Sequence, residues 1–173
     1  MKIKHHHQPH QENILLYAAI LIVHINSFTL GVTFCWSTTV TPRLESNHPN
    51  PLDSPLTVNE ISWLASFVSF GAIFGALTGI YLSDLFGRKQ ILIYTAILSA
   101  LSFLTLAFSR ELYLYYIARF FGGICVGIFL LVVPIYVAEI TNDDDKFKYL
   151  TKLFIVCGNL FCFVVGPYVT IQS

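Results

Sequence analysis

The sequence predicts an all-α membrane protein of about five transmembrane helices, and three observations carry that prediction. Of 173 residues, 55% are hydrophobic and only 12% are charged, too few charges to clothe a soluble domain. The uncharged residues fall into runs of helix length, and bilayer hydrocarbon takes about 20 apolar residues per helix. No run alternates polar and apolar residues at period two, which argues against a β-barrel. Ten lysines and arginines balance ten acids, so net charge gives no reason to expect nucleic acid as a partner. The lipid bilayer is the partner this composition requires.

The first run extends from Asn13 to about Trp36. It is too long and too polar in its middle for a secretory signal, and no small-x-small cleavage site follows, so it reads as a retained span. Residues 1–12 read as a tail. Its HHHQPH segment, His5 to His10, has no further ligands nearby and is not read as a metal site. A loop, STTVTPRLESNHPNPLDSPL from Ser37 to Leu56, follows and holds no glycosylation sequon. The second span, Ile61 to Leu82, is preceded by Thr57-Val58-Asn59-Glu60, a capping-box pattern. The third runs from Gln90 to Phe108, and the fourth from Leu112 to Ala138, broken only by Arg119. The fifth starts near Lys152 and continues to the end, making 13–173 one helical domain.

Orientation follows from the basic residues. Lys2, Lys4, Arg88, Lys89, Lys146, Lys148 and Lys152 fall on one side, and only Arg43 and Arg110 on the other. This places the N-terminus and the 83–89 and 139–152 loops in the cytoplasm, and the 37–56 loop outside.

Small and polar residues predict how the spans meet. Gly71, Gly75 and Gly79 repeat every fourth residue in span two, and Gly123 and Gly127 do so in span four. Such stripes let backbones approach in lipid, where no hydrophobic force drives helices together. Asn26, Thr29 and Thr33 form a polar stripe in span one, and Ser62, Ser66 and Ser69 in span two. Thr95, Ser99 and Ser102 form a third. Each stripe either lines a pathway or satisfies itself on the preceding turn. Cys35, Cys125, Cys157 and Cys162 all fall in or at the edge of spans and read as small apolar residues, not as a disulfide framework. Arg119 inside a span is costly to expose to lipid, so it should turn inward or snorkel.

The stretch YLSDLFGRK, Tyr81 to Lys89, joins spans two and three. Gly87 permits a tight reversal. Asp84 sits at a helix C-terminus whose dipole disfavours an acid, and so wants a partner. The stretch resembles the loop signature of the major facilitator superfamily, in its sugar-porter branch. A second block agrees: Arg119-Phe120, then FGGICVG (121–127), then PIYVAEI (134–140) with Lys146 beyond it. Gly158 and VGPY (165–168) resemble the fifth span of sugar porters. The wording is most similar to insect trehalose and sugar transporters.

The resemblance implies the N-terminal half of a major facilitator fold, truncated after five of twelve spans. It implies a plasma-membrane facilitator that moves a sugar, trehalose or glucose, by alternating access. Asp84, Gly87, Arg88, Lys89, Glu139 and Lys146 would form a cytoplasmic gating network with Arg88–Glu139 as leading pair. Asn26, Thr29, Thr33 and Lys152 would border the substrate cleft, Lys152 standing where many members carry a sugar-binding Gln. Lys146 and Phe147 depart from the family's Arg-Gly. No nucleophile, metal constellation or phosphate loop is present, so neither enzymatic activity nor a cofactor is expected. The other reading is a non-transporting membrane protein that associates only with other helices.

Overall fold

A computed structural model describes residues 9–45, 56–140 and 145–171, with side chains over 19–40, 56–140, 146–147 and 149–165. Its helices are α1 (Pro9–Glu45), α2 (Val58–Phe86), α3 (Arg88–Phe108), α4 (Leu112–Ile140) and α5 (Asp145–Ile171). Among the described residues there is no strand. Ala19–Val40 of α1 and the whole of α2, α3 and α4 are long and apolar enough to cross a membrane. α5 adds a shorter apolar stretch, Tyr149–Val165.

The bundle is apolar both inside and out. Leu64, Val126, Val132 and Val137 are almost wholly enclosed, yet Phe70, Leu77, Tyr94, Leu101 and Phe108 stand exposed on α2 and α3. Exposed apolar surface this continuous would aggregate in water but is satisfied by acyl chains. The protein is an all-α membrane protein that crosses the bilayer several times.

α2, α3 and α4 each run two to four residues past at least one expected end, and α1 and α5 differ as follows. α1 begins at Pro9, and proline suits a first helical position because its missing N–H would be unpaired there anyway. It also runs on to Glu45, through nine residues expected to be loop. The Thr39 hydroxyl donates to the Trp36 carbonyl at 3.0 Å, so this polar stretch satisfies itself within the helix. The remainder of that loop, residues 46–55, lies outside the described residues, as do the tail residues 1–8. α5 starts at Asp145, well before Lys152, because an acid at a helix N-terminus faces the positive end of the dipole. Lys146 and Lys152 therefore stand on a helix and not in a loop. Asp143 and Asp144 lie outside the described residues.

At α2 the capping box is formed. The Glu60 amide donates to the Thr57 hydroxyl at 3.4 Å, and the Thr57 amide donates to the Glu60 carboxylate at 2.7 Å. Gly87 closes the helix, its N–H donating to the Ser83 carbonyl at 3.0 Å. Its φ of 87° is a conformation that a Cβ would strain, and it turns the chain directly into α3.

α4 is the central helix, packed most extensively against α2 and then against α3. α2 and α4 run in parallel with their glycines face to face. A Cβ on Gly71 would meet the Phe120 carbonyl oxygen, and one on Gly75 the Ile124 carbonyl oxygen. From the other side, Gly123 abuts the Val68 carbonyl and Gly127 the Ala72 carbonyl. Gly79 closes the seam against Ile128. α3 is held to α4 by the Ser102 hydroxyl, which donates to the Ala118 carbonyl at 2.6 Å. α1 and α5 form the second close pair, crossing at Gly31 and Gly158.

Replacing Gly75 by Leu is expected to force α2 off α4. Overpacking costs roughly 1–3 kcal/mol where a core can adjust, and here the obstruction is backbone. The variant should lose its monodisperse peak on size exclusion in detergent, while Leu77→Ala on the lipid face should keep it.

Candidate functional site

The sequence-predicted residues separate into three regions, one at each end of the bundle and one between α1, α3 and α4. At the first end Gly87 aims Arg88, the opening residue of α3, toward the last turn of α4. Arg88 Nη1 lies 3.1 Å from Glu139 Oε1, joining the two helix ends by an ion pair. The side chains are 27% and 53% exposed, and the Nη1–H is not directed at the carboxylate, so this is a partly solvated charge contact. Among the described residues, Asp84 and Lys89 are not drawn into this pair. Asp84 is exposed and makes no ion pair among the described residues: the short turn at Gly87 sends Arg88 forward to α4, away from α2. Lys89 borders a cavity with Tyr136, and Lys146 is exposed at the start of α5.

At the opposite end Arg119 points inward from α4 and is 3% exposed. Its Nη1 donates to the Thr33 carbonyl at 3.2 Å, and Nη2 donates to the Ser37 hydroxyl. The guanidinium lies 4.8 Å from the centre of the Trp36 ring. Three contacts with one turn of α1 thus replace the hydration of a buried cation, with the indole face supplying cation–π attraction. The Nε–H has no partner among the described residues.

Between these ends, α1, α3 and α4 enclose two hollows. A cavity of about 270 Å³ is walled by apolar residues including Ile22, Val23, Leu92 and Phe129, with Lys89 and Tyr136 at its rim. Beside it a smaller crevice is lined by Asn26, Thr29, Thr33 and Ser99, with Cys125 and Phe129. The polar groups on α1 are tied to their own helix: Asn26 Nδ2 donates to Ile22, Thr29 to Ile25 and Thr33 to Thr29, all onto carbonyls. Both hydroxyl protons are used and the lone pairs remain, while Asn26 keeps one further N–H beside its carbonyl oxygen, so the crevice presents mainly acceptors. Lys152 lines neither hollow. It is exposed on α5, its ammonium 5.9 Å from the Tyr149 ring centre.

Sequence reasoning passed over His24. It is 2% exposed between α1 and α5, with Nδ1 2.6 Å from the Ile20 carbonyl, its ring edge-on to Phe154, and Nε2 without a partner. The signal was a lone imidazole within an uncharged apolar run. Gly31 was also missed, since nothing in the sequence pairs it with Gly158.

The two arginines should respond to loss of a partner by different amounts. A double-mutant cycle on Arg88 and Glu139 is expected to give a coupling of about 0–1 kcal/mol in unfolding. Ser37→Ala removes a hydrogen bond to an enclosed charge, worth about 1.5–3 kcal/mol. Thermal unfolding in detergent should therefore drop clearly for Ser37→Ala and little for Glu139→Gln.

Comparison with known proteins matches this architecture to one family. The family model described as "Sugar (and other) transporter" covers residues 14–171. The mouse "Solute carrier family 2, facilitated glucose transporter member 6" is 27% identical over 159 residues, 90% of this chain and 31% of its own length. "Facilitated trehalose transporter Tret1" of Polypedilum vanderplanki is 28% identical over 169 residues, 94% of this chain and 33% of its own. The Arabidopsis thaliana "Sugar transporter ERD6-like 16" is 32% identical over 120 residues, 68% of this chain and 25% of its own. The chain spans about a third of the length of such curated relatives. With nearly its whole length matched, the chain belongs to the sugar transporter family.

Proposed function

We propose that these helices form one wall of a pathway by which a neutral sugar, trehalose or glucose, crosses the plasma membrane by facilitated alternating access. The observation that carries this reading is the polar face of α1, whose Asn26, Thr29 and Thr33 border a crevice of only about 10 Å³ beside the larger hollow between α1, α3 and α4. Its α1 hydroxyls and amide already donate to their own helix and keep acceptor sites free. A sugar hydroxyl needs an acceptor for its proton, and lone pairs fixed on a rigid helix supply one without a charge. The relatives named for glucose and trehalose support a sugar of this class.

The basic end, with Arg88, Lys89 and Lys146, is assigned to the cytoplasm together with the N-terminus. There the Arg88–Glu139 pair is a gate element, with Asp84, Lys89 and Lys146 as further charges at the same end of the bundle, Asp84 and Lys89 standing outside the pair. Being partly solvated, the pair costs little to break, which suits a contact remade in each transport cycle. Arg119 holds α1 to α4 at the other end, and the glycine seam keeps α2 and α4 moving together.

In transport-deficient cells, the protein carrying these helices should give saturable uptake of labelled trehalose or glucose that excess unlabelled sugar suppresses. Background uptake with surface delivery confirmed would overturn the reading. Arg88→Ala and Glu139→Ala should lower the maximal rate with little change in the half-saturating concentration. Lys152 stands on an uncovered face of α5 and can only donate hydrogen bonds, whereas a glutamine also accepts. Lys152→Gln should therefore raise uptake of a neutral disaccharide. Unchanged uptake would make Lys152 a headgroup anchor.

A further inference from the structure

α1 and α5 run side by side in the same direction. Their backbones come closest at Gly31 and Gly158, where a Cβ built on Gly31 would lie 3.1 Å from the Gly158 Cα, and one on Gly158 3.3 Å from the Gly31 Cα. One helical turn further along both helices, four residues on from each glycine, stand Cys35 and Cys162. Parallel helices that touch at one turn bring the next turn's facing residues beside each other, which makes Cys35 and Cys162 neighbours across the α1–α5 seam. The Thr39 hydroxyl, one turn beyond Cys35, is 3.6 Å from the Cys162 sulfur, which fixes the same register independently. Both thiols are free.

We propose that Cys35 and Cys162 are an oxidation-sensitive dithiol that closes to a disulfide stapling α1 to α5. The two differ in access as such a pair requires: Cys162 is half-buried and reachable, while Cys35 is enclosed. The other cysteines are placed differently. Cys125 is buried on α4 and donates to the Thr95 carbonyl, and Cys157 is exposed on α5.

The oxidant is a hydroperoxide. The Cys162 sulfur attacks one peroxide oxygen, the O–O bond breaks, and the thiol proton leaves with the departing oxygen as an alcohol or water. The resulting sulfenic acid is attacked by Cys35, the S–O bond breaks, and water departs with the Cys35 proton. Two thiols are oxidised by two electrons, and one peroxide is reduced. The bond would join the helix that lines the crevice to its neighbour, independently of which solute the crevice takes.

The test uses the whole protein, reduced and reconstituted in proteoliposomes, treated with hydrogen peroxide, then denatured and labelled with a maleimide. Cys35 and Cys162 should both be lost to labelling, and digestion should release a linked peptide joining their segments that separates on reduction. Cys125→Ser and Cys157→Ser should leave that peptide in place, and Cys35→Ser should abolish it. Oxidation should also raise the unfolding temperature of the unmutated protein and not of Cys35→Ser. Full labelling after peroxide, a linked peptide involving Cys157, or Cys162 over-oxidised to sulfinic acid with Cys35 still free would each overturn the proposal. The labelling and peptide readouts on the unmutated protein do not depend on any variant folding.

Discussion

Everything in this bundle depends on how closely α2 can approach α4. In water an apolar seam would be driven together by the solvent, but in lipid the acyl chains compete on equal terms with any leucine. What distinguishes the right neighbour is the density of contact, and that density comes from removing side chains. Gly71 and Gly75 on one helix and Gly123 and Gly127 on the other each face a backbone carbonyl of the partner. Because the stripes repeat at four residues and the helices are parallel, the approach persists over several turns. α4 then has a fixed position from which Ser102 can reach Ala118 and Arg119 can reach α1.

The two arginines show how surroundings, and not residue type, decide what a charge does. Arg119 has lost its water and is compensated by a carbonyl, a hydroxyl and an aromatic face, all from residues 33–37. Removing one of those contacts leaves a desolvated charge short of a partner, so the arrangement is rigid by necessity. Arg88 keeps part of its water and meets a carboxylate that is more exposed still. Its attraction is screened and can be replaced by solvent at small cost. One end of the bundle is thereby bolted and the other only latched.

The number and order of helices were legible because membrane solubility writes itself into composition: a charge inside a roughly 20-residue apolar run is costly, so nearly uncharged runs mark the spans. The α2 cap was legible because Thr57 and Glu60 satisfy each other locally. Boundaries set by weaker effects were not. Thr39 looked like loop because hydroxyls favour turns, yet its bond to the Trp36 carbonyl lets the helix continue. The acidic run before Lys146 looked like a loop, although its last member opens α5. In the site, Arg88 and Glu139 could be paired from the resemblance, but the isolation of Asp84 could not, since it depends on the direction the chain takes after Gly87. His24 was invisible for the same reason: its burial follows from a crossing between α1 and α5 that no local pattern encodes.

That crossing also explains why α1 can carry so many polar groups through lipid. Its face toward α5 is closed by Gly31 against Gly158, and its face toward α4 is fixed by Arg119. Asn26, Thr29 and Thr33 lie along the hollow between α1, α3 and α4, held in place without having to make interhelical bonds of their own. Each instead donates to the preceding turn, which satisfies both hydroxyl protons and one N–H of Asn26 and leaves their lone pairs unused. A helix whose neighbours depended on those hydroxyls for packing could not offer them to a passing solute. Here packing falls to glycine and arginine, and the polar stripe is left free of interhelical bonds.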